Sequence, residues 1–132
     1  MPGARRSPFE YAIVRVVPRV DRGEAINAGI VLHCRPRRFL DAVVELDEDL
    51  LRALAPECDP AAVRAHLEAI PRICRGDAAG GPIAGLSQAE RFHWLVSPSS
   101  TIVQPSPVHT GLTGDPAETL DHLFGTLVRG RW

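Results

Sequence analysis

The hydrophobic pattern in the first third of the chain predicts a β-sheet. Residues 11–17 and 30–34 are apolar runs rich in β-branched side chains, and a proline or a glycine adjoins each run. Residues 39–46 alternate between apolar and polar positions, which is typical of a strand with one face on a core. Residues 35–38 contain a proline and predict the turn before this strand. These segments predict a three-stranded antiparallel meander with one face to be covered.

The rest of the chain carries the start and stop signals of helices. Residues 48–55 form a short candidate helix, and Asp59 with its following proline predicts the start of a second one that ends at Pro71. Ser87 and Asp115 each stand three residues before a glutamate, which is the pattern of a capping box. The final segment has helical spacing of its apolar residues, namely Leu120, Leu123, Phe124 and Leu127.

This order of elements, with strands first and helices later, predicts an α+β fold. We expect an antiparallel meander of three to five strands, with two or three helices packed on one face. Residues 94–96 and 101–104 are the candidates for added strands. The length of 132 residues suits a single domain over residues 1–132, and the Pro-, Gly- and Arg-rich residues 1–8 are expected to be frayed.

The composition excludes several classes of function. The chain is 45% hydrophobic and 23% charged, which excludes wholesale disorder, and its apolar runs are too short to span a membrane. A net charge of −1 and an aromatic content of 5% argue against nucleic-acid binding. All 15 basic residues are arginine, so chemistry that needs a lysine is excluded.

The cysteines and histidines predict neither a disulfide framework nor a metal site. The chain has an odd number of cysteines, and they form no CxxC pair: Cys34, Cys58 and Cys74. Free thiols fit a reducing cytoplasm. The histidines form no HExxH motif, so we expect no metal ion. The glycines form no GxGxxG motif and no P-loop, and we expect no cofactor.

One polar connection, residues 18–29, is far longer than a common hairpin loop. It carries charged, amide and glycine residues that could join Arg15 of the preceding strand: Arg19, Arg22, Gly23, Glu24, Asn27 and Gly29. One interpretation is a small anion site or a docking loop, because a guanidinium binds carboxylate or phosphate through two hydrogen bonds. A second is a loop closed by its own ion pairs, such as Arg22 with Glu24. A third is a buried ion pair between Arg15 and Glu24 that holds the loop.

A second polar segment, residues 97–111, is dominated by hydroxyl side chains and prolines. His109 and Thr110 could add a titratable base and a hydroxyl to a site. Serine and threonine side chains also commonly satisfy the backbone of a loop, which is the purely structural alternative.

Several short motifs follow one another in a distinctive order. They are a strand with Arg15 and Pro18, the triplet Arg22-Gly23-Glu24, the pair Asn27 and Gly29, and the segments 100–104 and 109–111. This order resembles the bacterial domain-of-unknown-function family 3037 over about residues 9–127. The resemblance implies that the residues from Arg15 to Gly29 act as a unit, and it implies no particular activity. It also implies a protein partner, because members of the family are sometimes encoded beside HipA-like kinases.

These observations predict a small bacterial cytoplasmic protein and leave two functional hypotheses. The leading one is a non-enzymatic accessory module that binds a protein partner, because the polar loop lacks a complete catalytic set. The alternative is an enzyme or sensor for a phosphorylated small molecule or nucleotide. In that alternative the arginines hold the anion, Glu24 or His109 acts as the base, and Asn27 orients the ligand.

Overall fold

A computed structural model describes residues 5–99 and 101–130 of the chain, and its centre is an antiparallel sheet. The strands run in the spatial order β3-β2-β1-β4, and β5 pairs with β1 beside β4. The predicted meander of the first three strands is confirmed. The bounds are β1 Ser7–Val16, β2 Ile26–Cys34, β3 Phe39–Val44, β4 Val103–Pro105 and β5 His109–Thr113.

Within residues 5–99 and 101–130, four α-helices begin at side-chain caps, and three of these caps, Asp59, Ser87 and Asp115, are predicted by the sequence. Asp47, Asp59, Ser87 and Asp115 each accept a hydrogen bond from a backbone N–H of the first turn. Ser87 and Glu90 form the complete capping box. The bounds are α1 Glu48–Leu54, α2 Pro60–Cys74, α3 Gln88–Leu95 and α4 Pro116–Leu127.

The α+β class is correct, but the expectation of two or three helices on one face is wrong. The first three helices cover one face of the sheet, in a core that includes Val14, Val31 and Leu67. α4 covers the opposite face, where Leu120 and Phe124 pack with Ile30 and other residues of β2. Because both faces are covered, nearly every residue of β2 is buried, as expected for a continuous apolar run.

Several predicted boundaries are also wrong, and packing explains each of them. Residues 1–4 lie outside the described residues, but Ser7 and Pro8 are not frayed, because they begin β1 and pair with β5. α2 continues past Pro71, since Ile73 and Cys74 extend its buried stripe. Residues 94–95 end α3 rather than forming a strand, whereas the segment 101–104 does contribute β4. In the described part of the chain, no helix has both the length and the apolar character needed to cross a membrane.

Candidate functional site

The loop between β1 and β2 is closed by its own ion pairs. Arg19 lies 3.4 Å from Asp21, and the Nε of Arg22 lies 3.0 Å from Glu24. Gly23 adopts a φ of 76°, which favours glycine, and its N–H donates to the Arg19 carbonyl. The loop therefore contains the Arg22–Glu24 ion pair that the second interpretation names. Glu24 pairs with Arg22, so the predicted ion pair between Arg15 and Glu24 is not formed among the described contacts.

Asn27 and Gly29 belong to β2 and not to the loop, because the strand begins at Ile26. Gly29 is needed for packing against β3: a Cβ atom there would lie 2.7 Å from the carbonyl oxygen of Val43 and 2.8 Å from a methyl group of Val44. A local irregularity follows, since Val14 pairs with Gly29 whereas Arg15 pairs with Asn27. Ala28 is the residue left without a partner on β1, and this shift in register places Asn27 opposite Arg15.

Arg15 is the centre of a row of polar residues that crosses three strands. Asn27 of β2 stands opposite Arg15 on one side, and Gln104 of β4 stands opposite it on the other. Directly opposed residues of antiparallel strands share a face of the sheet, with neighbouring strands about 5 Å apart. This face is the one that α4 covers, and the row lies where α4 ends: the amide of Asn27 donates to the Leu127 carbonyl at 3.0 Å.

The guanidinium of Arg15 has no carboxylate partner among the described residues. Its Nη2 donates to the Pro105 carbonyl at 3.0 Å, and its Nε is buried without a hydrogen-bond partner. None of the salt bridges found among residues 5–99 and 101–130 includes Arg15. A part-buried charge of this kind is stabilised by an opposite charge, and none of the described side chains supplies one.

The side-chain amides of Asn27 and Gln104, on either side of Arg15, place hydrogen-bond acceptors beside its charge. Asn27 donates through its amide nitrogen to α4, and Gln104 donates through its own to the Thr101 carbonyl at 2.8 Å. Both bonds use the nitrogen, which leaves the amide oxygens as acceptors. The Arg15 row, as we call Arg15, Asn27 and Gln104, therefore presents one positive charge between two neutral acceptors.

His109 and Thr110 lie elsewhere. They stand on β5 opposite Tyr11 and Glu10, and the ring of His109 lies 5.2 Å from that of Tyr11. Tyr11 precedes Arg15 by four residues along β1, a separation of about 14 Å in a strand. Glu24 is held by Arg22 in the loop, so the structure does not bring Arg15, Glu24 and His109 together as a catalytic pocket.

A cleft that borders Asn27 has four acidic residues in its lining. It has a volume of about 590 Å³ and lies between the end of α4 and the start of α1. Its acidic residues are already engaged: Glu45 pairs with Arg129 at 2.7 Å, and Glu48 pairs with Arg64. In the described ranges, no group of three or more His, Cys, Asp or Glu residues is arranged to hold a metal ion.

A second cavity is an apolar groove between α2, α3 and the segment that leads into β4. It has a volume of about 370 Å³, and its lining includes Val14, His66 and Trp94, whose side chain is half exposed. Arg15 and Gln104 line neither this groove nor the acidic cleft. Asn27 is the member of the Arg15 row that borders the acidic cleft.

Gln104 is the member of the row that sequence reasoning missed as a site residue. It belongs to a segment named in the family resemblance, but its type and spacing suggested only a strand. Its role depends on which strand β4 joins, and pairing between residues as distant in sequence as 15 and 104 has no local signal. The sequence did offer a hint of the site in Arg15, an arginine that is flanked by apolar positions and has no acidic residue close to it in the sequence.

Comparison with known proteins gives a family and nothing finer. The family described as "Protein of unknown function (DUF3037)" matches residues 11–128, a range that includes the whole Arg15 row. No curated protein and no solved structure matches the chain.

Proposed function

This chain belongs to the DUF3037 family of proteins of unknown function, and we propose that it is a non-enzymatic accessory module that binds a protein partner. One observation carries the proposal: Arg15 presents a part-buried guanidinium without a carboxylate partner among the described residues. The partner supplies that carboxylate from an acidic side chain. Arginine at such a position is typical of the residues that dominate the binding energy of protein interfaces.

The flanking amides favour a peptide over a phosphate. A phosphate group offers only acceptor oxygens, which the free amide oxygens of Asn27 and Gln104 would repel. A peptide segment offers an acidic side chain for Arg15 and backbone N–H groups for the two amide oxygens. The chemistry of the Arg15 row therefore matches an acidic residue on an extended partner segment.

The charge and shape of the surface around Arg15 also favour a protein partner over a phosphorylated ligand. Arg19 and Arg22 are each paired with a neighbouring carboxylate, so the loop adds no free positive charge to that of Arg15. Small-molecule sites are usually concave and bury most of their ligand. Arg15 and Gln104 lie outside the two cavities described above, and this favours the module over the alternative of an enzyme or sensor for a phosphorylated ligand.

The proposal includes a cytoplasmic setting, which the cysteines suggest, and a bacterial origin and a kinase-like partner, which the family resemblance implies. The described thiols support the first, since Cys34, Cys58 and Cys74 are all free. Free thiols persist in a reducing compartment. The partner is to be identified by capture.

The proposal is tested by capture from the lysate of the native host with three tagged baits. These are the wild-type chain, Arg15→Gln, which removes the unpaired charge, and Arg22→Gln, which removes a charge paired within the loop. We expect a stoichiometric partner on the wild type and on Arg22→Gln, and its loss from Arg15→Gln. Equal recovery on all three baits, or no stoichiometric protein on any of them, contradicts the proposal.

A fourth bait separates lost binding from lost folding. Gln104→Glu keeps Arg15 and places a carboxylate directly opposite it, so that the guanidinium is neutralised within the chain. We expect this variant to melt at the wild-type temperature and to lose the partner. Recovery of the partner by a folded Gln104→Glu chain would show that the charge of Arg15 does not bind it.

A further inference from the structure

β5 forms a free edge of the sheet. It pairs with β1 from Ser7 opposite Thr113 to Tyr11 opposite His109, and among the described residues no third strand adjoins it. Leu112 on this edge is 62% exposed, more than any other large hydrophobic side chain in the described ranges. An exposed edge with an apolar side chain is a template for the addition of another strand.

The direction of the β5 backbone follows from hydrogen bonds further along β1. Ile13 donates to the hydroxyl of Ser106, and Ser106 donates to the Ile13 carbonyl, each at 2.8 Å. The odd-numbered residues of β1 therefore direct their backbone groups toward β4 and β5, because strand residues alternate. Gly111 and His109, which stand opposite odd-numbered residues, bond inward to β1.

Thr110 and Leu112 consequently direct their N–H and C=O groups away from the sheet. No other backbone partner for these groups occurs in the described part of the chain. The outward-directed residues lie symmetrically on either side of Gly111. This spacing makes the edge complementary to itself when a second copy approaches in the antiparallel direction.

The opposite edge of the sheet is protected. On β3 the carboxylate of Asp41 accepts the N–H of Ala42 at 2.8 Å and lies 3.6 Å from Arg75 of the chain segment after α2. Charged side chains of this kind are a common defence of edge strands against pairing. β5 contains no aspartate, glutamate or arginine, so it lacks this defence.

We propose that two copies of this chain associate through β5, as antiparallel strands related by a two-fold axis at Gly111. Thr110 of one copy then stands opposite Leu112 of the other, and each such pair exchanges two backbone hydrogen bonds. The two Gly111 residues form the closely spaced pair between them, and neither carries a side chain of its own. Each exposed Leu112 packs beside the Thr110 of the other copy and loses contact with water.

Sedimentation equilibrium over a wide range of protein concentration tests the proposal. We expect the wild-type chain to reach twice its monomer mass of 14.3 kDa. Leu112→Lys adds a charge to the edge, and Thr110→Pro removes an N–H that faces outward in the monomer. Both variants are expected to remain monomeric at concentrations where the wild type is dimeric.

The control is Leu86→Lys, which changes a leucine that is 40% exposed outside β5. It is expected to dimerise as the wild type does. A wild-type chain that stays monomeric throughout, or a dimer that survives in either β5 variant, overturns the proposal.

Amide hydrogen exchange of the wild type tests the same pairing without any variant. Exchange at Thr110 and Leu112 is expected to slow as the protein concentration rises, because dimerisation protects their outward N–H groups. Rates that are independent of concentration at both positions also overturn the proposal.

Discussion

Arg15 and Arg22 carry the same guanidinium group, yet their surroundings differ. Arg22 pairs with Glu24 two residues away, and that ion pair could be predicted because the two residues are close in sequence within one loop. The partners of Arg15 lie on β2 and β4, and sequence spacing carries no information about such pairing. Residue type therefore identified the arginines that could form a site. The strand order determined which of them has no carboxylate partner among the described residues.

Gly29 is a position at which a single methyl group is expected to destabilise the fold. Gly29→Ala should lower the free energy of unfolding by about 1–3 kcal/mol, because its Cβ would clash with the β3 backbone. Gly125→Ala is the matched control, since its Cβ meets nothing within 4 Å and alanine favours a helix by about 1 kcal/mol. Urea unfolding of both variants gives the comparison. Equal effects would show that the close approach at Gly29 is not restrictive.

His33 is expected to make stability depend on pH. Burial lowers the pKa of His33 below 6.5 and Arg35 adds to the lowering, against the opposing effect of Glu10. The unfolded chain therefore binds a proton below about pH 6.5 that the folded chain does not. Stability should fall as the pH drops from 6.5 through the lowered pKa.

The measurement is the melting temperature as the pH is lowered from 7 through the lowered pKa of His33. His33→Gln should reduce the decline, and His122→Gln, at an exposed site, should leave it unchanged. An identical pH profile for wild type and His33→Gln would contradict this assignment.

α4 covers the face of the sheet that α1, α2 and α3 leave open, so that the sheet has a hydrophobic core on each face. Its cap at Asp115 and its apolar spacing were readable from the sequence, and both predictions are confirmed. Its placement on the other face was not readable, because spacing identifies a buried stripe but not the surface that buries it. The continuous apolar run in β2 was the available sign that both faces are covered.

Leu120→Ala tests this packing. Leu120 is 3% exposed in the second core, so the substitution should lower the free energy of unfolding by about 2–5 kcal/mol. Leu50→Ala, at a helical leucine that is 43% exposed, should change it by no more than about 0.5 kcal/mol. Chemical denaturation measures both. A loss below about 1 kcal/mol for Leu120→Ala would mean that α4 is only loosely packed.

β5 shows why short edge strands escape sequence analysis. His109–Thr113 contains a glycine, two threonines and only one large apolar residue. Its apolar positions therefore show neither the helical nor the strand periodicity, and the segment has the pattern of a loop. The strand forms because β1 extends to Ser7 and offers it a pairing edge. Its residues were therefore considered as part of a site, whereas the structure assigns them to the sheet.

The whole molecule is organised as a sheet between two helical layers, and this arrangement buries two of its three thiols. Cys34 is fully buried and Cys74 is 2% exposed, and burial raises the pKa of Cys74 to about 12. Cys58 is only partly buried. A thiolate is the reactive form of cysteine, so reactivity follows exposure and pKa.

Alkylation of the native protein with iodoacetamide at neutral pH is expected to modify Cys58 first, with Cys34 and Cys74 reacting only after denaturant is added. Mass spectrometry of the digested protein locates the label. Early modification of Cys34 or Cys74 would contradict the double-layered core.

If the charge of Arg15 binds a protein partner, its removal must weaken the affinity of the captured partner for the purified chain. Isothermal titration with wild type, Arg15→Gln and Arg22→Gln should give dissociation constants in which Arg15→Gln alone is weakened by about 30-fold or more, equivalent to about 2 kcal/mol. Equal constants for all three chains, with Arg15→Gln folded, would contradict the claim.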